Sequence, residues 1–254
     1  MMPPELPAHP AISVPRVIAH RGYSARAPEN TLAAVRAAHQ AGVRWVELDV
    51  QLLGDGTPVI WHDRDVKRCS NGSSALAALD RESAQRLDVG AWFSAAFQGE
   101  RMARLEEMLA LLNTLNMGLN LELKINKGHD PLALTQRIIP EVLAALPPER
   151  LIVSSFSQPA LAAARAMAPP QALALGLLAK RLPCDWPHRC NAISAFSVHL
   201  DWRYVKAASL AALNRAGVTV MCYTANDPVA FAPRWQWGVS SVISDNPTVF
   251  MPPG

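Results

Sequence analysis

Short apolar runs alternate with Ala- and Leu-rich helical segments along nearly the whole chain. The runs predict strands over 16–20 (RVIAH), 44–50 (RWVELDV), 57–63 (TPVIWHD), 118–125 (GLNLELKI), 151–156, 172–178, 192–200, 218–224 and 241–244. Between most of them the pattern predicts helices over 30–41, 104–116, 131–146, 158–168, 206–216 and 227–237. Such alternation points to a parallel sheet covered by helices. The Ala-Gly pairs at 41–42 and 216–217 suit helix ends, where Gly takes the left-handed conformation freely.

Nine strands are one too many for an eight-stranded barrel, and connection length identifies the extra one. Only QLLGDG separates the second and third, with Asp55-Gly56 as a turn signal. A parallel crossover needs a dozen or more residues, so this link makes a hairpin. The 57–63 strand therefore returns antiparallel and opens an excursion, up to about 103, that breaks the alternation. The expected fold is a (β/α)8 TIM barrel with a small subdomain inserted after the second barrel strand, at about 57–103. Residues 1–15 read as an extended, Pro-rich leader, and 16–254 as one domain. An open, doubly wound sheet is the alternative, weakened by the lack of a GxGxxG turn after the first strand.

Composition narrows the partners. Half of the 254 residues are hydrophobic and the formal charge is only +3, with no Lys/Arg stripe to track nucleic acid. Cys69, Cys184, Cys190 and Cys222 show neither zinc-ligand spacing nor a disulfide framework. The N-terminus lacks a signal-peptide pattern and no apolar stretch reaches membrane-span length, so a reduced, cytoplasmic protein without stable membrane insertion is expected. Oligomeric state is not legible.

The chemistry gathers at strand ends, where barrel sites form. In RWVELDV, Glu47 and Asp49 share a face with Trp45, opposite Val46, Leu48 and Val50. In GLNLELKI, Glu122 and Lys124 share a face. Buried acids on one face need a metal or basic partners, and three carboxylates form a hard-oxygen set suited to Mg2+ or Ca2+. A structural Glu–Lys/Arg network is the competing reading. His20 and His62 each end an apolar strand and suit acid–base work near neutral pH. Arg21 and Lys124 complete a cationic cup fitting a phosphoryl group. His199 lies near a strand end and reads as structural. Glu29 and Asn30 are open between capping the following helix and supporting the site.

AHRG, PENT, ELDVQLLGDGTPVIWHD, LELK and SSF, in this order, together with RCSNG, VGAWFSAAFQGE and WGVSSVISDNP, resemble the bacterial cytosolic type of glycerophosphodiester phosphodiesterases. The resemblance runs from about residue 16 nearly to the C-terminus. It implies a (β/α)8 barrel using one divalent cation to hydrolyse glycerophosphodiesters to glycerol 3-phosphate and an alcohol. At matching positions Glu47, Asp49 and Glu122 would hold the metal, His20 and His62 would be the acid/base pair, and Arg21 and Lys124 would bind phosphate. The substrate's own glycerol hydroxyl attacks first in the mechanism usually drawn for the family, with metal-activated water as the alternative. Departures fall elsewhere: MARL at 102–105, Tyr223-Thr224-Ala225-Asn226 and Gly238-Val239-Ser240-Ser241 replace the family's usual runs. They leave the leaving alcohol unassigned. Alternatives are a lysophospholipase D-like activity, for which Trp92, Phe93 and Phe97 are a thin hint against a reading as subdomain core, and a silent phosphodiester-binding barrel. A glycosidase using Glu47 and Glu122 would leave both histidines and Arg21 without work.

Overall fold

The computed structural model describes residues 8–252. Eight parallel strands close into a barrel: β1 (Val17–His20), β2 (Trp45–Leu52), β4 (Gly118–Leu123), β5 (Leu151–Ser155), β6 (Ala174–Ala179), β7 (Ser197–Asp201), β8 (Thr219–Tyr223) and β9 (Ser241–Ser244). Closure is direct, because β1 pairs in parallel with both β2 and β9. The remaining strand, β3 (Pro58–Ile60), runs antiparallel to β2. Its short hairpin loop permits nothing else. Helices α1 (Leu32–Gln40), α3 (Leu105–Thr114), α4 (Pro131–Ala145), α5 (Gln158–Met167), α6 (Trp186–Ile193), α7 (Ala207–Arg215) and α8 (Pro228–Gln236) cover the outside, while α2 (Arg81–Arg86) belongs to the insertion.

Strand alternation sorts side chains into two layers. Outward-facing Val46, Leu48, Leu119, Leu121 and Val153 pack against Leu109, Ile138 and Leu161 of the helices. Each such fully buried side chain contributes about 1.5–3 kcal/mol relative to exposure, so this layer holds the barrel shut. The inward layer has an apolar plug at the bottom, where Ile18, Trp45, Ile152, Ala174, Met221 and Ile243 cluster. Ile12 and Val14, ahead of β1, pack against that plug. Residues 1–7 of the expected leader lie outside the described residues. Above the plug the inward positions turn polar, with Glu47, Asp49, Asn120, Glu122, Ser154, His199 and Asp201 all buried.

The structure departs from the pattern reading in three places. The third strand covers Pro58–Ile60 rather than 57–63: Trp61 N–H still donates to the Asp49 carbonyl (2.9 Å), but Asp49 N–H donates to Asn30 Oδ1 (3.3 Å) and the Trp61 carbonyl accepts from Gln51 Nε2 (2.7 Å), so the ladder stops. The segment 192–200 is not all strand: α6 runs to Ile193, Ser194 takes a left-handed cap (φ 46°), and β7 starts at Ser197. That helix was hidden because it buries only Cys190 and Ile193 and has no apolar stripe. The insertion has its own small core, including Trp61, Val66, Leu76, Val89 and Met102. Trp92, Phe93 and Phe97 are not in it. They stack edge-to-face with one another, centroids 5.7 and 5.6 Å apart, and Trp92 is 41% exposed.

Candidate active site

At the top of β1 the chain turns sharply through Arg21 (φ 57°) and Gly22 (φ 78°). A Cβ at Gly22 would stand 2.6 Å from Ala34 Cβ, so only Gly lets helix α1 approach this turn. The turn aims two basic side chains across the barrel mouth. His20 Nδ1 lies 2.6 Å from Asp245 Oδ1, while its Nε2 lies 3.8 Å from Glu47 Oε2. Arg21 Nη1 donates to Glu29 Oε1 (2.7 Å), and its Nε lies 3.3 Å from Asp49 Oδ2. Burial disfavours the guanidinium charge, yet Asp49, Glu29 and Glu47 outweigh it and raise its pKa.

The register β2–β4 sets Asp49 beside Glu122 and Glu47 beside Asn120. Glu47, Asp49 and Glu122 therefore converge, each offering an oxygen within 4.8 Å of the others. Lys124 Nζ bridges two of them, 3.0 Å from Glu122 Oε1 and 3.4 Å from Asp49 Oδ1. Asn30 holds the third contact to Asp49: its Nδ2 donates to Oδ2 (3.0 Å), and its Oδ1 accepts from the Asp49 backbone N–H (3.3 Å). Three buried carboxylates crowd one another. Burial, with Asp49 and Glu122 alongside, raises Glu47 well above the usual carboxylate range. Burial and the Asp49 charge push Glu122 up to about 7. Burial works against Asp49 too, but Arg21, Lys124 and His62 hold it below its ordinary value.

His62 enters from the insertion. Its Nδ1 lies 2.7 Å from Asp63 Oδ1. A carboxylate at Nδ1 fixes the proton there and leaves Nε2 free, the same arrangement that Asp245 gives His20. Burial lowers the His62 pKa, aided by Arg21 and Lys124 and opposed by Asp49 and Asp63, so the neutral ring is favoured. Two clamps set its position. Gln51 Nε2 donates to the carbonyls of Trp61 (2.7 Å) and Asp63 (3.0 Å), and Asn126 donates to Gln51 Oε1 (2.8 Å). Arg68 binds Asp63 through Nε (2.7 Å) and Glu29 through Nη1 (2.7 Å), so the insertion is tied to the PENT loop.

All seven predicted site residues meet at the C-terminal mouth of the barrel. His20, Arg21, Glu47, His62, Glu122 and Lys124 line a cavity of about 460 Å³, and Asp49 lies just beneath. His199 stands apart, fully buried, its Nε2 2.8 Å from Ser197 Oγ. The open choice at 29–30 resolves away from capping: Thr31 Oγ1 accepts from Ala34 N–H and caps α1, whereas Glu29 and Asn30 face the site. Pattern reading did not assign Asp245, Asp63 or Arg68. Asp245 had a usable signal, a carboxylate just past a barrel strand, and Asn226 Nδ2 steadies it (2.8 Å). Arg68 had only its place at the head of the RCSNG run, since it meets Glu29 through the fold.

Among the described residues no helix is long and apolar enough to cross a membrane. The sequence pattern of the Glycerophosphoryl diester phosphodiesterase family matches residues 20–249. A glycerophosphodiester phosphodiesterase of Caldanaerobacter subterraneus is 32% identical over 231 residues, covering 91% of this chain and 94% of that protein. The solved structure of an Oleispira antarctica phosphodiesterase in complex with the product sn-glycerol-3-phosphate superposes with a TM-score of 0.88 at 34% identity, covering 93% of this chain and 95% of that one. A putative glycerophosphoryl diester phosphodiesterase from Silicibacter pomeroyi has a TM-score of 0.80 at 25% identity, covering 95% and 92%. With its barrel, its carboxylate cluster and a match spanning almost its whole length, the chain belongs to the glycerophosphoryl diester phosphodiesterase family.

Proposed function

We propose that this protein hydrolyses glycerophosphodiesters to glycerol 3-phosphate and an alcohol, with one divalent cation, Mg2+ or Ca2+, held by Glu47, Asp49 and Glu122. The observation that carries this reading is charge balance at the barrel mouth. Three converging carboxylates have two permanent cations beside them, Arg21 and Lys124, and burial together with the crowding of like charge raises Glu47 and Glu122. A hard divalent ion fits this all-oxygen set and removes the excess. Two basic side chains and a divalent ion against three carboxylates leave one positive charge, the complement of a phosphodiester monoanion. A bound ion supplies positive charge to the phosphoryl oxygens.

The protein's own groups do the rest. The Arg21 guanidinium and the Lys124 ammonium face the non-bridging oxygens and orient the phosphorus. His62, favoured in its neutral form, takes the proton through Nε2 from the attacking oxygen, either that of water or that of the glycerol hydroxyl, whose cyclic phosphate water then opens. His20, oriented by Asp245 at Nδ1, delivers a proton from Nε2 to the leaving oxygen. Asp63 and Asp245 touch no substrate and act by fixing ring orientation.

A turnover panel with Mg2+, Ca2+ and chelator tests the reading. Chelation should abolish glycerol 3-phosphate release, and His20→Ala or His62→Ala should each lower kcat about 10²–10⁴-fold with the fold intact by circular dichroism. Undiminished turnover in both variants would overturn the acid/base assignment. The Trp92–Phe93–Phe97 stack, with Trp92 exposed and both phenylalanines half-buried, favours one second reading, action on lysophospholipids held at a lipid surface. Assaying glycerophosphocholine against its acylated counterpart separates the two.

A further inference from the structure

The cavity extends beyond the phosphate-facing residues to a second end formed by Phe156, Trp202, Tyr223, Asp201 and Arg203. Three aromatics and an acid resemble a cage for a quaternary ammonium group, but the groups such a cage needs are already engaged. Both Asp201 oxygens are taken by Arg203, Nε to Oδ1 at 2.9 Å and Nη2 to Oδ2 at 2.6 Å. The Trp202 ring already carries Arg234, 4.9 Å from its centroid. Beside this end, at the tops of β6 and β7, three cations surround one ring: Arg181, Lys180 and Arg203 lie 4.4, 5.0 and 5.8 Å from the Tyr204 centroid. Among the described residues neither Lys180 nor Arg181 forms an ion pair. One neutralised acid against three cations leaves this rim positive.

We propose that the second end of the cavity is the alcohol subsite and that Lys180 and Arg181 make it select an alcohol bearing its own negative charge, a second phosphate or a carboxylate, over a cationic alcohol. This rests on the phosphodiesterase reading, with glycerol 3-phosphate at the Arg21–Lys124 end. Lys180 and Arg181 are exposed and share the Tyr204 ring with Arg203, which lines the cavity, and the Asp201 carboxylate beside them is already paired with Arg203, so an anionic group on the leaving alcohol meets them. A choline headgroup meets uncompensated positive charge instead.

The test compares kcat/KM for three glycerophosphodiesters whose alcohols are choline, glycerol and glycerol phosphate. Exposed ion pairs are individually weak, so the wild-type protein should favour the glycerol phosphate diester over the choline diester by about three- to thirtyfold at low salt, less at high salt. Lys180→Gln/Arg181→Gln should bring that ratio towards one. Arg36→Gln/Arg215→Gln, the same charge change on α1 and α7, should leave it as in wild type. Ratios are taken within one preparation, so loss of folded protein cancels. Equal or better use of the choline diester overturns the proposal while leaving the phosphodiesterase reading in place. So does a ratio that both double variants lower alike, since general attraction then explains it. If none of the three diesters is hydrolysed, the phosphodiesterase reading falls and this preference with it.

Discussion

Asn30 shows how much one residue can hide. It sits at a positive φ of 59°, buried, with its amide closing a two-way hydrogen bond on Asp49. In the sequence it is indistinguishable from a helix cap, because Asn30 and Thr31 are both capping residues and adjacent. Their backbone angles separate them: Thr31 is extended and caps, while Asn30 is left-handed and turns inward. Asn30→Ala removes both bonds to Asp49 and strains the backbone, since Asn tolerates the left-handed region that costs Ala about 1–2 kcal/mol. Metal-supporting partners of this kind are typically worth about 10–100-fold in affinity or activity. The expected outcome is a rise of that size in the Mg2+ or Ca2+ concentration needed for half-maximal turnover. An unchanged activation constant would mean that Asp49 needs no such clamp.

At the scale of elements, the β2–β3 hairpin does the work that eight barrel strands cannot. It brings His62 over the mouth from outside the barrel, and Arg68 ties the loop back to Glu29. Arg68 is 45% exposed, so its pairs add little to stability, about 0–1 kcal/mol each. Arg68→Gln should therefore lower kcat roughly tenfold, as expected when a positioning contact is lost, while the urea midpoint scarcely moves. A large midpoint shift with normal kcat would make Arg68 a structural staple instead. Lower in the barrel, Gly118 meets the Trp45 indole so closely that an added Cβ has no room. Gly118→Ala should destabilise by about 1–3 kcal/mol through overpacking, read by denaturant unfolding. Both elements were legible as strands from their patterns. The docking of the insertion was not, because its contacts join residues far apart in sequence.

For the whole molecule, pH acts on stability through groups of opposite sign. His199 is fully buried and its pKa is lowered to about 3 by desolvation. The unfolded chain takes up that proton near pH 6.5 and the folded chain does not, so stability falls as pH drops through the window from 6.5 towards 3. The slope approaches about 1.4 kcal/mol per pH unit for one proton. Glu122, raised to about 7, acts oppositely in metal-free protein: its folded form holds a proton that the unfolded form has lost, so stability falls as pH rises from about 4.5 to 7. The difference between wild type and His199→Gln isolates the histidine. Urea unfolding between pH 6.5 and 4.5 should show wild type losing stability relative to the variant as the pH falls, and parallel curves would place the titration elsewhere.

By itself the sequence determined the strand–helix alternation, the hairpin that makes the third strand antiparallel, and the placing of seven candidate residues at strand ends, because side-chain period and connection length are local properties of a chain. It resembled its family on motifs that lie at the same strand ends. Only the tertiary structure decided that Asp245 and Asp63 hold the two imidazoles, that Arg68 joins the insertion to Glu29, and that Asn30 serves Asp49 rather than α1. Asp63 adjoins His62 in the chain, but the other contacts depend on the tertiary fold, in which barrel closure sets side by side residues as distant as His20 and Asp245, and no local pattern encodes that pairing.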